Sequence, residues 1–377
     1  MTTKIFLYIL SAGALIYLLV LLVFTTGWYR LKPFTASLRH FSTKISVVVA
    51  FRNERMSLQN LLNSLCQQTY SKELLEIILV DDHSEDESVS IVNQFIQQNK
   101  SCTIRLIKAS GNGKKKALHE GIHRATGDLI VTTDADCLAH KNWLVKLAAF
   151  FEQEHPLLII GPVVYTEVKG GLQKFFSLEF MSLVASGAGS AAAHLPLMGN
   201  GANMAFEKDV FLEAGAEAQK QQLASGDDVF LIHYLSRKYG RRTVRFIKNK
   251  EAIIRTPAPK NLKQFLSQRA RWGSKAKAYD LAWPLIVSFT VLIFNLLLAA
   301  AFIYGFYTPW FWMVFLLFVI LKYLIDFPLL KDFSDFTGNH KLVALLFPFE
   351  FIYPFYILIA ATKGLFFSFD WKGRKVR

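Results

Sequence analysis

The apolar residues of this chain fall into two kinds of pattern. One is the unbroken stretch IFLYILSAGALIYLLVLLVF (5–24), which returns in similar form beyond about residue 283. The other is a series of short β-branched runs between those ends, separated by segments with helical spacing. The first stretch is long enough to cross a bilayer as a helix, which takes about 20 residues. Only Lys4 precedes it and no small-residue cleavage site follows, so an uncleaved span is expected in place of a signal peptide. Trp28, Tyr29 and Arg30 would then form its interfacial anchor. Near the C-terminus 284–304 is expected to span, and 310–330 and 342–366 are strongly apolar. Lys322 and Asp326 lie in the second of these and are costly in lipid unless they face protein or water. Two or three C-terminal spans are therefore expected.

In the middle, ISVVVAF (45–51) predicts a buried strand and MSLQNLLNSLCQQTY (56–70) a helix. LEIILVDD (75–82), CTIRLIKAS (102–110) and GDLIVTTDADC (127–137) predict further strands. ESVSIVNQFIQQNK (87–100) and KKKALHEGIHRAT (114–126) predict the helices between them. The alternation implies an α/β fold with a mostly parallel sheet flanked by helices. Next come a helix over NWLVKLAAFFEQE (142–154) and a strand over LLIIGPVVY (157–165). The small-residue stretch 175–206 has the apolarity of a span. Its Glu179, His194 and glycines favour a helix over the active site or at the membrane surface.

Composition changes this picture little. Net charge is +14, hydrophobic content 52% and mean hydropathy +0.28. In a chain with membrane segments, the basic balance points to a bilayer surface or phosphate-bearing substrates, with the middle domain cytoplasmic. No nucleic-acid-reading motif is present, so nucleic acid is not an expected partner. Three full C-terminal spans would put the basic tail DWKGRKVR on the opposite face, against the positive-inside bias, which favours one non-spanning segment. Cys66, Cys102 and Cys137 show neither disulfide nor zinc spacing.

The chemistry gathers where strands end. Ligands of parallel α/β sheets bind at the carboxyl ends of the strands. Three strands lead there into RNE (52–54), DDHSED (81–86) and DAD (134–136). Adjacent carboxylates raise each other's pKa unless something neutralises them. A polar turn could hold such residues, and so could a site for a cation carrying phosphate.

Five segments in order, VVVAFRNE, ILVDDHSEDES, GKKKALHEGIHRATGDLIVTTDADC, SGDDVFL and QRARW, resemble the family 2 glycosyltransferases with a GT-A nucleotide-sugar fold. Within that family they are most similar to the membrane-integrated kind that includes cellulose, hyaluronan and poly-N-acetylglucosamine synthases. The resemblance covers roughly 43–275. It implies an N-terminal transmembrane helix (1–30), a cytosolic GT-A domain (43–260), an amphipathic interface helix with a QxxRW motif (261–282) and a C-terminal membrane region (283–370). It also implies a role for individual residues. Asp136 would contact Mg²⁺ or Mn²⁺, hard cations that take oxygen ligands and leave positions for phosphate. Asp134 would approach ribose or sugar. Glu54, Asp81, Asp82 and Lys114 would bind the nucleotide, one of the two aspartates accepting the uracil N3–H. Asp228 would be the base that deprotonates the acceptor, with Asp227 beside it replacing the family's Glu and Gly226 its Thr. Gln268, Arg271 and Trp272 would serve diphosphate and acceptor. Asn203, in GNGANMAF (199–206), is a further acceptor-side candidate. The motif carries departures: Phe-Arg-Asn-Glu stands for aromatic-Asn-Glu, and His119 for an asparagine.

The resulting expectation is an inverting transferase at the cytoplasmic face of the inner membrane, moving a sugar from a UDP-sugar to a lipid-linked or glycan acceptor. The alternative is a processive polysaccharide synthase. With about four candidate spans, that alternative would need a homo-oligomer or membrane partner to complete a channel. A transporter or scaffold with a non-catalytic transferase domain ranks last, because every acid the chemistry needs is present.

Overall fold

The computed structural model describes residues 2–36, 40–166, 168–218, 227–274, 279, 281–366, 369–371 and 374–376. The chain divides into two compact units. One joins 1–30, 168–195 and 258–377. The other joins 31–167 and 196–257. Helix α1 (Thr2–Arg30) opens the chain in the first, helical unit.

The second unit is built around a sheet. Its elements follow as β1 (Ile45–Phe51), α2 (Leu58–Cys66), β2 (Leu75–Asp81), α3 (Ser88–Gln98), β3 (Ile104–Lys108), α4 (Lys114–Arg124) and β4 (Leu129–Thr132). β5 (Leu138–Ala139), α5 (Trp143–Glu154), β6 (Leu158–Ile160) and β7 (Val163–Thr166) come next. After α6 (Gly170–Ala192), which belongs to the helical unit, the chain adds β8 (Met204–Glu207), α7 (Lys208–Ala218) and α8 (Asp227–Lys238). β9 (Val244–Phe246) and β10 (Ile254–Pro257) complete it. The main sheet has the order β3-β2-β1-β4-β8-β6-β9, and β8 runs antiparallel to both of its neighbours. A smaller sheet has the order β5-β10-β7.

The β-branched runs form the core strands because both sheet faces are covered. Every residue of β1, β2 and β4 is buried, as parallel strands between two helix layers require. Register aligns Phe51 with Asp81 and Asp81 with Lys108. The loops leaving β1, β2 and β3 therefore emerge at one edge.

Two sequence-predicted strands differ from the structure. β4 stops at Thr132, and Asp134 and Asp136 lie on the turn beyond it, closed by the Cys137 N–H donating to Asp134 O at 3.1 Å. LLIIGPVVY is two strands in two sheets, broken at Gly161–Pro162. Pro162 has no N–H for a ladder. Gly161 faces the Asn203 side chain so closely that a Cβ there would lie 2.3 Å from it.

The helical unit adds α9 (Leu262–Ser274), α10 (Ala282–Tyr304), α11 (Trp310–Thr337) and α12 (Leu346–Phe366). Among the described residues five helical segments are long and apolar enough to cross a membrane: Thr3–Arg30, Gly170–Ala192, Ala282–Tyr304, Trp310–Thr337 and His340–Gly364. All three C-terminal segments thus qualify. α6 is a separate matter. The strands before and after it, β6 and β8, are hydrogen-bonded neighbours, with Leu158 opposite Phe206. One crossing would leave its two flanks on opposite sides of the bilayer, so length and composition alone do not make α6 a span. It crosses α1 at van der Waals contact of the backbones. A Cβ on Gly27 would lie 2.2 Å from Gly189 O, and one on Gly189 2.3 Å from Phe24 O.

Trp28 is no lipid-facing anchor. It is fully buried, packs on Phe333 and Phe336, and donates its indole N–H to Asp332. Lys322 and Asp326 do face protein. The Lys322 ammonium donates to Asp326 Oδ2 and Glu350 Oε2, both at 2.6 Å, and Tyr17 Oη donates to Asp326 Oδ1 at 2.8 Å. α1, α11 and α12 meet at this cluster.

Candidate active site

In the sheet unit, the loops after β1 and β2 lock together. Asp82 N donates to Phe51 O at 2.8 Å. Arg52 Nη1 donates to Asp82 O at 3.0 Å and His83 O at 2.7 Å, and Nη2 reaches Glu85 at 2.8 Å. Asn53 N donates to Ser84 Oγ, and Asn53 Oδ1 accepts from Glu85 N. Glu54 N donates to Ser88 Oγ, while its carboxylate accepts from Ser57 Oγ at 2.7 Å. Asn53 and His83 adopt left-handed backbone (φ 52° and 57°), an uncommon conformation that these cross-loop bonds hold in place.

The predicted nucleotide residues fall along this seam. Asp81 Oδ1 accepts from Ser84 N at 2.9 Å, and Asp82 Oδ1 from Gly113 N at 2.8 Å. Gly113, with φ 103°, turns the chain into α4, whose first residue Lys114 forms an ion pair with Asp134. The turn after β4 is thereby tied to the loop before α4, and that loop to the end of β2.

Asp134 and Asp136 are half-buried. Thr256 Oγ1, on β10, donates to Asp136 Oδ1 at 3.5 Å. The neighbouring Cys137 is buried, and that burial raises its thiol well above the ordinary value. The Asp134 and Asp136 charges push it the same way. Sealed from solvent and held in its neutral form, Cys137 has the surroundings of a structural thiol. Asp228, half-buried in the first turn of α8, accepts from Val229 N at 2.9 Å and from Gly201 N at 3.3 Å. Gly201 O accepts from Thr132 Oγ1 at 2.8 Å, so one loop links Asp228 to the end of β4. Gly226 and the Asp227 side chain lie outside the described residues.

Asn203 is not an acceptor contact. It is fully buried; Oδ1 accepts from Trp143 Nε1 at 3.0 Å, and Nδ2 donates to Pro162 O and Ala252 O at 2.8 Å each. Its amide satisfies a backbone gap where β6 and β7 part. The sequence signal, a polar residue in a glycine-rich loop, does not distinguish these roles.

Gln268, Arg271 and Trp272 lie on α9 in the helical unit and are half-buried. Between them Arg269 is buried. It forms an ion pair with Glu179 on α6, and its guanidinium lies 4.4 Å from the Trp272 ring centre. Arg269 does not stand out in the sequence, because the motif draws attention to Arg271. Its signal was Glu179, an acid in an apolar stretch that needs a partner.

Among the described residues no group of three or more His, Cys, Asp or Glu gathers as a metal cage. Two carboxylates one residue apart still suit Mg²⁺ or Mn²⁺ carried with a diphosphate, because such ions take few protein ligands beside substrate phosphates.

Two family models match the chain: Glycosyl transferase family 2 over residues 46–209, and Glycosyl transferase family group 2 over residues 129–359. The second covers more than half of the sequence. The chain belongs to the family 2 glycosyltransferases. Among curated relatives, it is 31% identical over 127 residues to glycosyltransferase AglE of Haloferax volcanii, covering 34% of this chain and 41% of AglE. It is 27% identical over 251 residues to the glucosyl-dolichyl phosphate glucuronosyltransferase of the same organism, covering 64% of this chain and 79% of that enzyme. The chain thus spans about two fifths of AglE and most of the second relative. Its fold is shared with the mannosyltransferase PcManGT of Pyrobaculum calidifontis, solved with GDP-Man and Mn²⁺. The TM-score is 0.66 at 17% identity, over 97% of this chain and 99% of that one. The mixed α/β architecture of this family 2 member is accordingly that of a GT-A domain with apolar helices.

Proposed function

We propose that the protein is a membrane-bound inverting glycosyltransferase that moves a sugar from a nucleoside diphosphate sugar to a lipid-linked acceptor at the cytoplasmic face of the cell membrane. The observation that carries this reading is the linkage of Asp82, Lys114, Asp134 and Asp228 through consecutive loops at one edge of one sheet. The dolichyl-phosphate relative supports a lipid-phosphate acceptor.

In this reading Glu54, Asp81 and Asp82 line the nucleotide end, and a carboxylate there accepts the uracil N3–H. The Lys114 ammonium, at the N-terminus of α4, favours the diphosphate together with the helix dipole. Asp136 would hold Mg²⁺ or Mn²⁺, which supplies positive charge to the leaving diphosphate, and Asp134 beside it would approach the ribose or sugar. Asp228 takes the proton from the acceptor hydroxyl as its oxygen attacks the anomeric carbon and the bond to the diphosphate breaks. A positioned base contributes about 10²–10⁴-fold. Gln268, Arg271 and Trp272 serve diphosphate and acceptor.

The test is to incubate purified protein in lipid nanodiscs with UDP- and GDP-sugars, native membrane lipids and Mn²⁺, following diphosphate release and product size. Single transfer to an extractable lipid is expected. A long polymer would favour the processive alternative, and release from no donor would overturn the proposal.

A further inference from the structure

Arg269 uses every face of its guanidinium. One edge meets Glu179: Nε lies 2.8 Å from both carboxylate oxygens, and Nη2 also pairs with Oε2. Nη1 donates to Gln268 Oε1 at 2.6 Å. The planar group lies 4.4 Å from the Trp272 ring centre and 4.6 Å from that of Phe265. Tyr356 Oη, on α12, completes the Glu179 carboxylate at 2.8 Å. Arg269 is 4% exposed and Glu179 2%.

Burying such a pair is a poor route to stability alone, because desolvation consumes most of the Coulombic gain and apolar replacements often do as well. What the pair supplies is direction. A guanidinium is planar, fork-shaped and able to stack, so its orientation sets the orientation of whatever it touches. Here it touches two side chains of the motif, Gln268 and Trp272. Glu179 on α6 and Tyr356 on α12 fix Arg269 from outside α9.

We propose that Arg269 is a positioning residue that holds Gln268 and Trp272 in their working orientation, with Glu179 and Tyr356 as its anchors. The role rests on the part given above to Gln268 and Trp272 in transfer. Misplacing a positioning group by about 1 Å can cost on the order of 10²-fold in rate.

The deciding variant is Glu179→Leu with Arg269→Met, which removes the pair without leaving a buried charge. Diphosphate release from the UDP- and GDP-sugar panel in native-lipid nanodiscs is measured beside the thermal unfolding midpoint. The expected result is kcat lower by about 10²-fold, with donor KM within about threefold and the midpoint unchanged. Arg269→Lys keeps the charge but loses the plane and the second edge, and is expected to lose kcat by a similar factor. Wild-type kcat in either variant overturns the positioning role, as does a kcat loss that tracks a fallen midpoint in both. A wild-type protein that turns over no donor overturns the proposed function instead.

Discussion

Charged side chains meet two different fates in this protein. At the edge of the sheet, Asp134, Asp136 and Asp228 are half-buried, on a turn and in the first turn of a helix. In the helical unit, Lys322, Asp326 and Glu350 are buried and bonded to one another, with 1%, 7% and 1% exposure. A half-buried carboxylate can exchange partners with an arriving ligand without unfolding anything. A carboxylate sealed against an ammonium cannot. Residue type is the same in both places, and access to solvent separates a candidate for chemistry from a structural tie.

If access to solvent divides these charges, the two sets respond differently to substitution. The largest effect is expected at the sheet edge: Asp228→Asn should lower turnover by about 10³-fold, with the unfolding midpoint near that of the wild type. In the helical unit Lys322→Met should leave two buried carboxylates without their cation and cost about 3–5 kcal/mol of stability. Unfolding in detergent measures this. The triple variant Lys322→Met, Asp326→Asn, Glu350→Gln should recover most of that loss. Asn203→Ala sharpens the contrast inside the sheet unit. It orphans an indole N–H and two carbonyls, so a loss of about 1–3 kcal/mol is expected without a change in donor KM.

The smallest effect concerns pH. Burial acts to raise the pKa of Glu76, but hydrogen bonds from Ser46, Thr126 and Arg105 more than offset it and hold the carboxyl below its ordinary value. A lowered folded-state pKa stabilises above the unfolded value, and that stability is lost as pH falls through the folded one. Unfolding midpoints measured from pH 6 down to about pH 3 should therefore fall less steeply for Glu76→Gln, whose neutral stability should be lower by about 1 kcal/mol.

Much of the fold was legible because period and length carry it. The buried run at 45–51 could form little else than an interior strand, and the acids after 75–81 marked a strand end. The break at Gly161–Pro162 was not, because a strand buried on both faces reads as one apolar run until its partners are known. Lys322 announced itself as a charge in an apolar helix. Its partner Asp326 is bonded to Tyr17, 309 positions away, which no local pattern encodes. In the site, the motif acids were visible as types in order. The cross-loop bonds of Arg52 and the commitment of Asn203 depend on backbone groups whose direction the sequence does not state.

Whether the half-buried acids at the sheet edge carry the chemistry is decided by comparing wild type with Asp136→Asn, both full-length in nanodiscs. Diphosphate release from the donor panel is measured with Mn²⁺ and again with excess chelator, alongside the unfolding midpoint. If Asp136 holds the metal, turnover is metal-dependent in the wild type and absent in the variant, and the midpoint is the same in both. Equal turnover in the two proteins, or turnover indifferent to the chelator, would contradict that role of Asp136.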